Sequence, residues 1–288
     1  MKTFAALYRE LDAAASSDAG IAALAAYFAA ARDDPARWGE AAWVVHLAAG
    51  GRVAPVIPAR LLRRLAGEAT GLPEWLIEES QRNVGDPAET LALLLPPPTA
   101  PEAVSLETWM EERLPALREL DEEARYERFA ACAAALPDAD RLAVFKLASG
   151  GLRLGVTKSQ LAQALAQAGG LDAPTVAQRL AGFAPAAADF ARLVAPAAAA
   201  DDGRPYPFFL AHPLDIADGE LAARLGPVEG WIVEWKFDGL RAQLLRRGEA
   251  WRLWSRDDDL LCEAFPEIGA LAAALPDGVA LDGALVVE

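Results

Sequence analysis

Between residues 234 and 241 the chain reads Glu234-Trp235-Lys236-Phe237-Asp238-Gly239-Leu240-Arg241. A lysine amine attacks phosphorus or carbonyl carbon only as the neutral base, and in water its pKa is about 10.4. Burial, a nearby cation, or a metal-bound phosphate that draws off the proton favours the reactive form, and Arg241 is one available cation. Trp231 to Lys236 alternates in the manner of a strand, which puts Glu234 and Lys236 on one face and lets one pocket hold both. A carboxylate in such a pocket accepts a hydrogen bond from the exocyclic amine of adenine and discriminates against a keto base. Asp238-Gly239 forms a turn behind the lysine, and Ser255-Arg256 brings a second guanidinium toward the same place. A bare Lys-x-Asp-Gly is more often a strand-end lysine in a surface ion pair with Asp238 or Glu234. Here five such residues fall within eight positions, and that combination is specific.

A second constellation lies earlier in the chain. Gly150-Gly151-Leu152-Arg153-Leu154-Gly155-Val156 delivers the chain to Thr157-Lys158-Ser159-Gln160, a capping-box pattern that opens a helix over 159–168. Glycines allow close approach of a ligand to the backbone, and free N–H groups at a helix start favour an anion. Gly151, Arg153, Gly155, Thr157 and Lys158 therefore read as a contact to DNA phosphate. Spacing alone slightly favours an ordinary helix-loop-helix turn with two solvated basic residues.

The elements around these residues change character along the chain. From residue 1 to about 200 the pattern is helical: Phe4, Leu7, Tyr8 and Leu11, then Ile21, Leu24, Ala25 and Phe28, recur at one-face spacing. Helices over 38–47, 58–69 and 73–83 stop at or shortly before Gly50-Gly51, Gly71 and Gly85, and Asp86-Pro87-Ala88-Glu89 is a complete helix start. Pro96 to Val104 reads as a linker between two helical groups, with Ser105 capping the next helix and a further helix over 138–149. The alanine run to Asp201-Asp202-Gly203 marks a domain boundary, and a proline-punctuated aromatic segment containing His212 follows. Beyond it strands prevail: a strand over 231–236, a hairpin of 241–246 and 251–256 about Arg247-Gly248-Glu249, a helix over 265–274, and more strand over 279–287 interrupted at Asp282-Gly283. The expectation is a multidomain chain, an all-α domain over 1–200 followed by the start of an α+β domain with an antiparallel sheet over 201–288.

Composition narrows the class further. A hydrophobic share of 53% supports real cores, and the net charge of −15 argues against a large, non-specific basic footprint while allowing a local one. Cys132 and Cys262 make neither a metal-ligand spacing nor a disulfide framework, and no metal ligands are assigned. The apolar run 21–31 is shorter than the roughly 20 residues needed to span a bilayer. Glu10, Asp12 and Asp18 ahead of it do not suit a signal peptide. A cytoplasmic protein with no membrane partner is expected.

Glu234-x-Lys236-x-Asp238-Gly239-x-Arg241 resembles the signature of the covalent nucleotidyltransferases, which include ATP-dependent DNA ligases, RNA ligases and mRNA-capping enzymes. Phe145 to Val156 resembles the hallmark segment of the helical DNA-binding domain of DNA ligases. Gly71 to Trp75 and Gly85 to Thr90 are similar to a bacterial ATP-dependent group encoded beside a helicase and a nuclease. The resemblance spans essentially the whole chain and favours DNA as the ligand of the glycine loop. It implies that Lys236 takes AMP from ATP and passes it to the 5′-phosphate of nicked double-stranded DNA, where the 3′-hydroxyl displaces it, as in DNA repair. It also implies adenine recognition by Glu234, ribose and phosphate contacts from Arg241 and Arg256, with Asp238 and Gly239 in the same nucleotide site, and Mg2+ at the phosphoryl steps.

Two departures stand out. The family places glutamate after Asp282-Gly283, whereas this chain has Ala284, so weaker adenylylation is expected. The later motifs and the OB-fold domain do not occur in the 288 residues, so these residues alone are expected not to seal nicks. The rival expectations are a non-catalytic DNA-binding fragment and an RNA-directed nucleotidyltransferase.

Overall fold

Several helices of the first part begin where a side chain takes up backbone N–H groups that lack an intrahelical acceptor. Ser16 Oγ accepts from Ala19 N at 3.2 Å, Asp86 Oδ1 from Glu89 N at 2.9 Å, Ser105 Oγ from Thr108 N at 2.9 Å, and Asp121 Oδ1 from Ala124 N at 3.0 Å. Each such cap contributes about 1 kcal/mol. The resulting helices are α1 (Lys2–Asp12), α2 (Ser17–Arg32), α3 (Trp38–Ala48), α4 (Ala59–Thr70), α5 (Glu74–Val84) and α6 (Pro87–Leu94). Then come α7 (Leu106–Thr108), a π-helical turn over Trp109–Arg113 and α8 (Leu114–Arg118) in one continuous run. They are followed by α9 (Glu122–Ala135), α10 (Asp138–Ala148), α11 (Lys158–Gly169), α12 (Ala173–Leu180) and α13 (Ala187–Val194).

These elements come from a computed structural model that describes residues 1–180, 183–196, 203, 205–206, 208, 224–230, 235–257 and 259–286. The chain divides into two compact units, Met1–Ala197 and Ala198–Glu288, the first all-α and the second built on an antiparallel sheet. None of the described helices is long and apolar enough to cross a membrane.

The first unit has a single core. Phe4, Phe28, Trp109, Phe129, Phe145 and Phe190, drawn from its whole length, are fully buried together with Leu24, Leu62 and Leu91. The expected linker over 96–104 therefore does not separate two helical groups. It is an internal connection, tied down where Arg141 donates to the carbonyls of Leu95 at 2.8 Å and Pro96 at 2.6 Å, and where Glu102 N donates to Ala135 O at 2.8 Å.

In the second unit three antiparallel strands lie in the order β2-β1-β3, with β1 Leu240–Arg247, β2 Ala250–Ser255 and β3 Ala280–Leu285. Ala242, Leu244 and Leu253 pack one face against Ala272 of α14 (Ile268–Ala274), with Phe265 and Ile268 alongside. On the other face Trp254 is wholly buried and donates from Nε1 to Gly203 O at 2.8 Å. The Gln243 amide there takes Tyr206 N at 2.6 Å and donates to Tyr206 O at 3.3 Å.

Four expectations need correction. The hairpin loop is Gly248-Glu249 alone, because Arg247 still pairs with Ala250. The C-terminal helix begins at Ile268, with turns before it at Pro266-Glu267, since proline disfavours helical backbone in its predecessor. β3 runs unbroken through Asp282-Gly283, which pair with Gln243 and Ala242. Trp235–Asp238 is not strand: β3 ends at Leu285 opposite Leu240, so no described strand reaches far enough to pair with it. Residues 231–234 and His212 lie outside the described residues.

Candidate functional site

Register decides which side chains meet at the lysine end of the sheet. β1 starts at Leu240 opposite Leu285, Arg241 faces Ala284, and Ala242 lies between Ser255 and Gly283. The first residues of β1 and the last of β2 and β3 thus converge on one edge. Directly paired residues share a face, so Arg241, Gln243, Asp282 and Ala284 line the same side of the sheet. There Arg241 Nε donates to Asp282 Oδ1 at 2.6 Å, a charge-assisted bond. Gly239 is required by close packing: a Cβ on it would stand 2.4 Å from the Leu285 carbonyl oxygen.

Lys236 precedes this edge in an irregular, exposed segment, between Trp235 at 87% exposure and Phe237 at 65%. Asp238 is likewise exposed. Arg256 follows β2 in a turn organised by Ser255, whose Oγ accepts from Asp257 N at 3.2 Å and Asp259 N at 3.1 Å. Its Nε lies 3.9 Å from Asp257 Oδ1, an ion pair without a hydrogen bond. The structure therefore gathers Gly239, Arg241 and the Ser255-Arg256 turn at the edge that Lys236 and Asp238 enter. Glu234 lies outside the described residues. Asp282 was noted in the sequence only as part of an interruption, and its partnership with Arg241 became visible through the β1–β3 register. Among the described residues no three His, Cys, Asp or Glu side chains converge to hold a metal ion, so no residue is assigned to one.

The glycine loop is built differently, from α10 outward. Gly151 N and Leu152 N both donate to Lys146 O, at 2.9 and 3.1 Å, which turns the chain out of the helix. Lys146 Nζ in turn donates to Asp86 Oδ2 at 2.7 Å, so the residue that caps α6 also pins the root of the loop. Burial pushes the Asp86 carboxyl up, but the bonds from Lys146 and the Glu89 N–H outweigh it and hold the group below the usual carboxylate range. Burial pulls Lys146 down, and the bond to Asp86 carries it above its ordinary value instead. Val56 N and Ile57 N brace the other side, both donating to Ala148 O at 2.8 and 3.0 Å. At Gly150, φ is +71°, and a Cβ would lie 3.1 Å from Val53 O, so only glycine fits.

Beyond this root the loop alternates. Leu152 and Leu154 are buried, whereas Gly151, Arg153 and Gly155 are exposed and face outward together. Arg153 Nη1 folds onto the loop, donating to Gly150 O at 3.1 Å and Leu152 O at 2.5 Å. Thr157 closes the expected capping box: its Oγ1 accepts from Gln160 N at 3.2 Å while Gln160 Oε1 accepts from Thr157 N at 2.8 Å. Lys158 is exposed at the first turn.

A cleft of about 430 Å³ adjoins the loop, lined by Tyr8, Asp12, Ser16, Ser17 and Gly20 opposite Arg153 and Gln160. α2 and α11 run side by side in the same direction. Their starts border the cleft, and at their far ends Arg32 Nη1 donates to Ala168 O at 2.5 Å. Sequence reasoning missed the rim at Ser16 and Ser17, because only tertiary packing brings it beside residue 153.

Along the chain, a helical unit with a glycine-arginine loop is followed by a unit built on an antiparallel sheet, with Lys236 ahead of its first strand. The family model described as the DNA ligase N terminus matches residues 1–179, and the chain belongs to that family. It is similar to a probable DNA ligase of Anaeromyxobacter dehalogenans (strain 2CP-C), 38% identical over 144 residues, covering 48% of this chain and 28% of that one. It is also similar to a probable DNA ligase of Mycobacterium bovis (strain BCG / Tokyo 172) and to DNA ligase B of Mycobacterium tuberculosis (strain CDC 1551). Each is 31% identical over 231 residues, 76% of this chain and 44% of the relative. The chain thus spans less than half the length of these curated relatives.

Proposed function

We propose that these residues are part of an ATP-dependent DNA ligase that seals nicks between a 5′-phosphate and a 3′-hydroxyl in duplex DNA. The observation that carries this is Lys236, set five residues before Arg241 at the open edge of a sheet, in a chain of the DNA ligase family. Lys236 Nζ, as the free amine, attacks the α-phosphorus of ATP; a P–N bond forms, the bond to the β-phosphate oxygen breaks, and pyrophosphate leaves. The 5′-phosphate of the nick then takes the AMP from the lysine, and the 3′-hydroxyl oxygen displaces AMP to close the strand. Magnesium arrives with the ATP phosphates as part of the substrate. Arg241 and Arg256 hold ribose and phosphate, Glu234 reads adenine, and Gly151, Arg153, Gly155, Thr157 and Lys158 seat the DNA backbone. This reading extends to a cytoplasmic repair role, with the helicase and nuclease partners that the resemblance implies.

Incubation with ATP labelled in the α-phosphate tests it. Label is expected to remain on the wild-type chain through denaturation and to be absent from Lys236→Ala. Label retained by the alanine variant, or a preference for GTP, overturns the assignment.

A further inference from the structure

We propose that Glu122 and Glu123 set the direction in which the helical unit lies on duplex DNA, by occupying the cations of one of its two equivalent edges. The inference rests on the DNA-contact reading above and adds to it a choice between two orientations. The unit repeats itself: Leu47-Ala48-Ala49-Gly50-Gly51 recurs as Leu147-Ala148-Ser149-Gly150-Gly151. α3 and α10, which lead into these turns, have 11 residues each, and α4 and α11, which follow, have 12 each. The turns form alike. Gly51 N donates to His46 O and Gly151 N to Lys146 O, both at 2.9 Å, and φ is +94° at Gly50 and +71° at Gly150. Packing is exchanged between the halves, α3 against α13 and α10 against α6, as a two-fold relation produces. α9 also flanks α4 in the sense that α2 flanks α11, since Glu122, Glu123 and Tyr126 meet Arg60, Arg64 and Glu68 in turn.

The antiparallel strands of a duplex carry the same symmetry, so a repeated unit that holds phosphates alone fits in two opposite directions. Chemistry at the two edges breaks the tie. Ser16 and Ser17 rim the edge at Arg153, and among the described residues Arg153 donates to loop carbonyls and to no carboxylate. At the other edge Asp121 and Glu122 stand at the corresponding helix start. There Arg60 Nη1 donates to Glu122 Oε1 at 2.6 Å, and both Nη atoms of Arg64 donate to Glu123 at 2.8 Å. These guanidiniums reach a phosphate only by giving up a carboxylate partner. α4 also starts behind Pro58, which has no capping side chain and no N–H, where α11 has Thr157. One edge thus receives phosphate, and the other is filled from within.

The test places an iron chelate on a cysteine introduced at Ala15, on the rim of the Arg153 edge, and maps where the full chain cuts a nicked duplex. The chain without that cysteine supplies the background from Cys132 and Cys262. Wild-type edges are expected to give cuts on one side of the nick, at least about tenfold above the mirror-related positions. Asp121→Asn/Glu122→Gln/Glu123→Gln keeps an asparagine cap and gives up exposed ion pairs, which contribute little to stability. It is expected to cut both sides comparably. Ser16→Asp/Ser17→Glu, which also keeps a cap, is expected to lose the one-sided pattern, and the two sets of changes combined are expected to reverse it. Circular dichroism checks that each variant is folded. Two-sided cutting by the wild type, or a one-sided pattern unchanged in either variant, overturns the proposal while leaving the DNA contact intact. No cutting near the nick by the wild type overturns the DNA-contact reading, and this inference with it.

Discussion

Asp86 has two tasks, and its two oxygens divide them. Oδ1 caps α6 and Oδ2 takes the ammonium of Lys146 at the root of the glycine loop. The folded carboxyl titrates below its unfolded value, so the stability it contributes is complete above about pH 4 and fades as pH falls through the lower folded pKa. Lys146 titrates above its unfolded value, so its share is complete below about pH 10 and fades as pH rises through the higher folded one. Asparagine keeps a cap but abolishes the charge. Asp86→Asn is therefore expected to melt lower than wild type at neutral pH, with the difference narrowing as the solution is acidified below about pH 4. Thermal melts across that range check it; a gap that stays constant shows that the ion pair contributes nothing.

At the scale of elements, what the sequence made legible was local. The caps at Ser16, Asp86, Ser105 and Thr157 depend on residues within three positions, and all four stand as expected. The glycine loop was legible as a connection between two helices for the same reason, but its alternation of buried Leu152 and Leu154 with exposed Gly151, Arg153 and Gly155 was not. Long-range relations were not. That 96–104 lies within one core depends on Arg141 reaching two carbonyls more than 40 residues away, and no periodicity encodes that. The strand expected at Lys236 has the right alternation, but strand identity needs a partner in register, and none of the described strands extends to it. Asp282 was hidden likewise, since its aspartate-glycine pair looks like a turn until β3 is seen paired. The capping box of α11 supports an element-scale prediction. Thr157→Ala removes one of its two bonds, costing about 1 kcal/mol and lowering the melting temperature of the helical unit by about 2–4 °C. Scanning calorimetry reads this directly, and an unchanged transition would show that the cap is dispensable.

Considered whole, the molecule is acidic, with a net charge of −15, yet is proposed to hold a polyanion. The contradiction is resolved by range: charges separated by more than about 10 Å are largely screened at moderate salt, so DNA responds to the loop it touches. Few phosphates are then neutralised, and affinity depends only modestly on salt. Under the proposed reading, Arg153 and Lys158 would each contribute about −0.9 to the slope of log affinity against log salt. Replacing both with alanine is expected to flatten the slope by about two units for nicked duplex of any sequence. Filter binding from low to moderate salt measures it, and an unaltered slope places the DNA elsewhere.

The alternation of residues 151–155 has a practical consequence. Leu152 and Leu154 anchor the segment in the helical core, while Gly151, Arg153 and Gly155 have left it. Grip and durability are thereby assigned to alternate letters of one five-letter word. Under the proposed reading, a change at position 153 retunes hold on the DNA at the cost of only the two loop bonds that Arg153 donates to Gly150 O and Leu152 O, whereas the same change one residue to either side disturbs a buried leucine and loosens the scaffold.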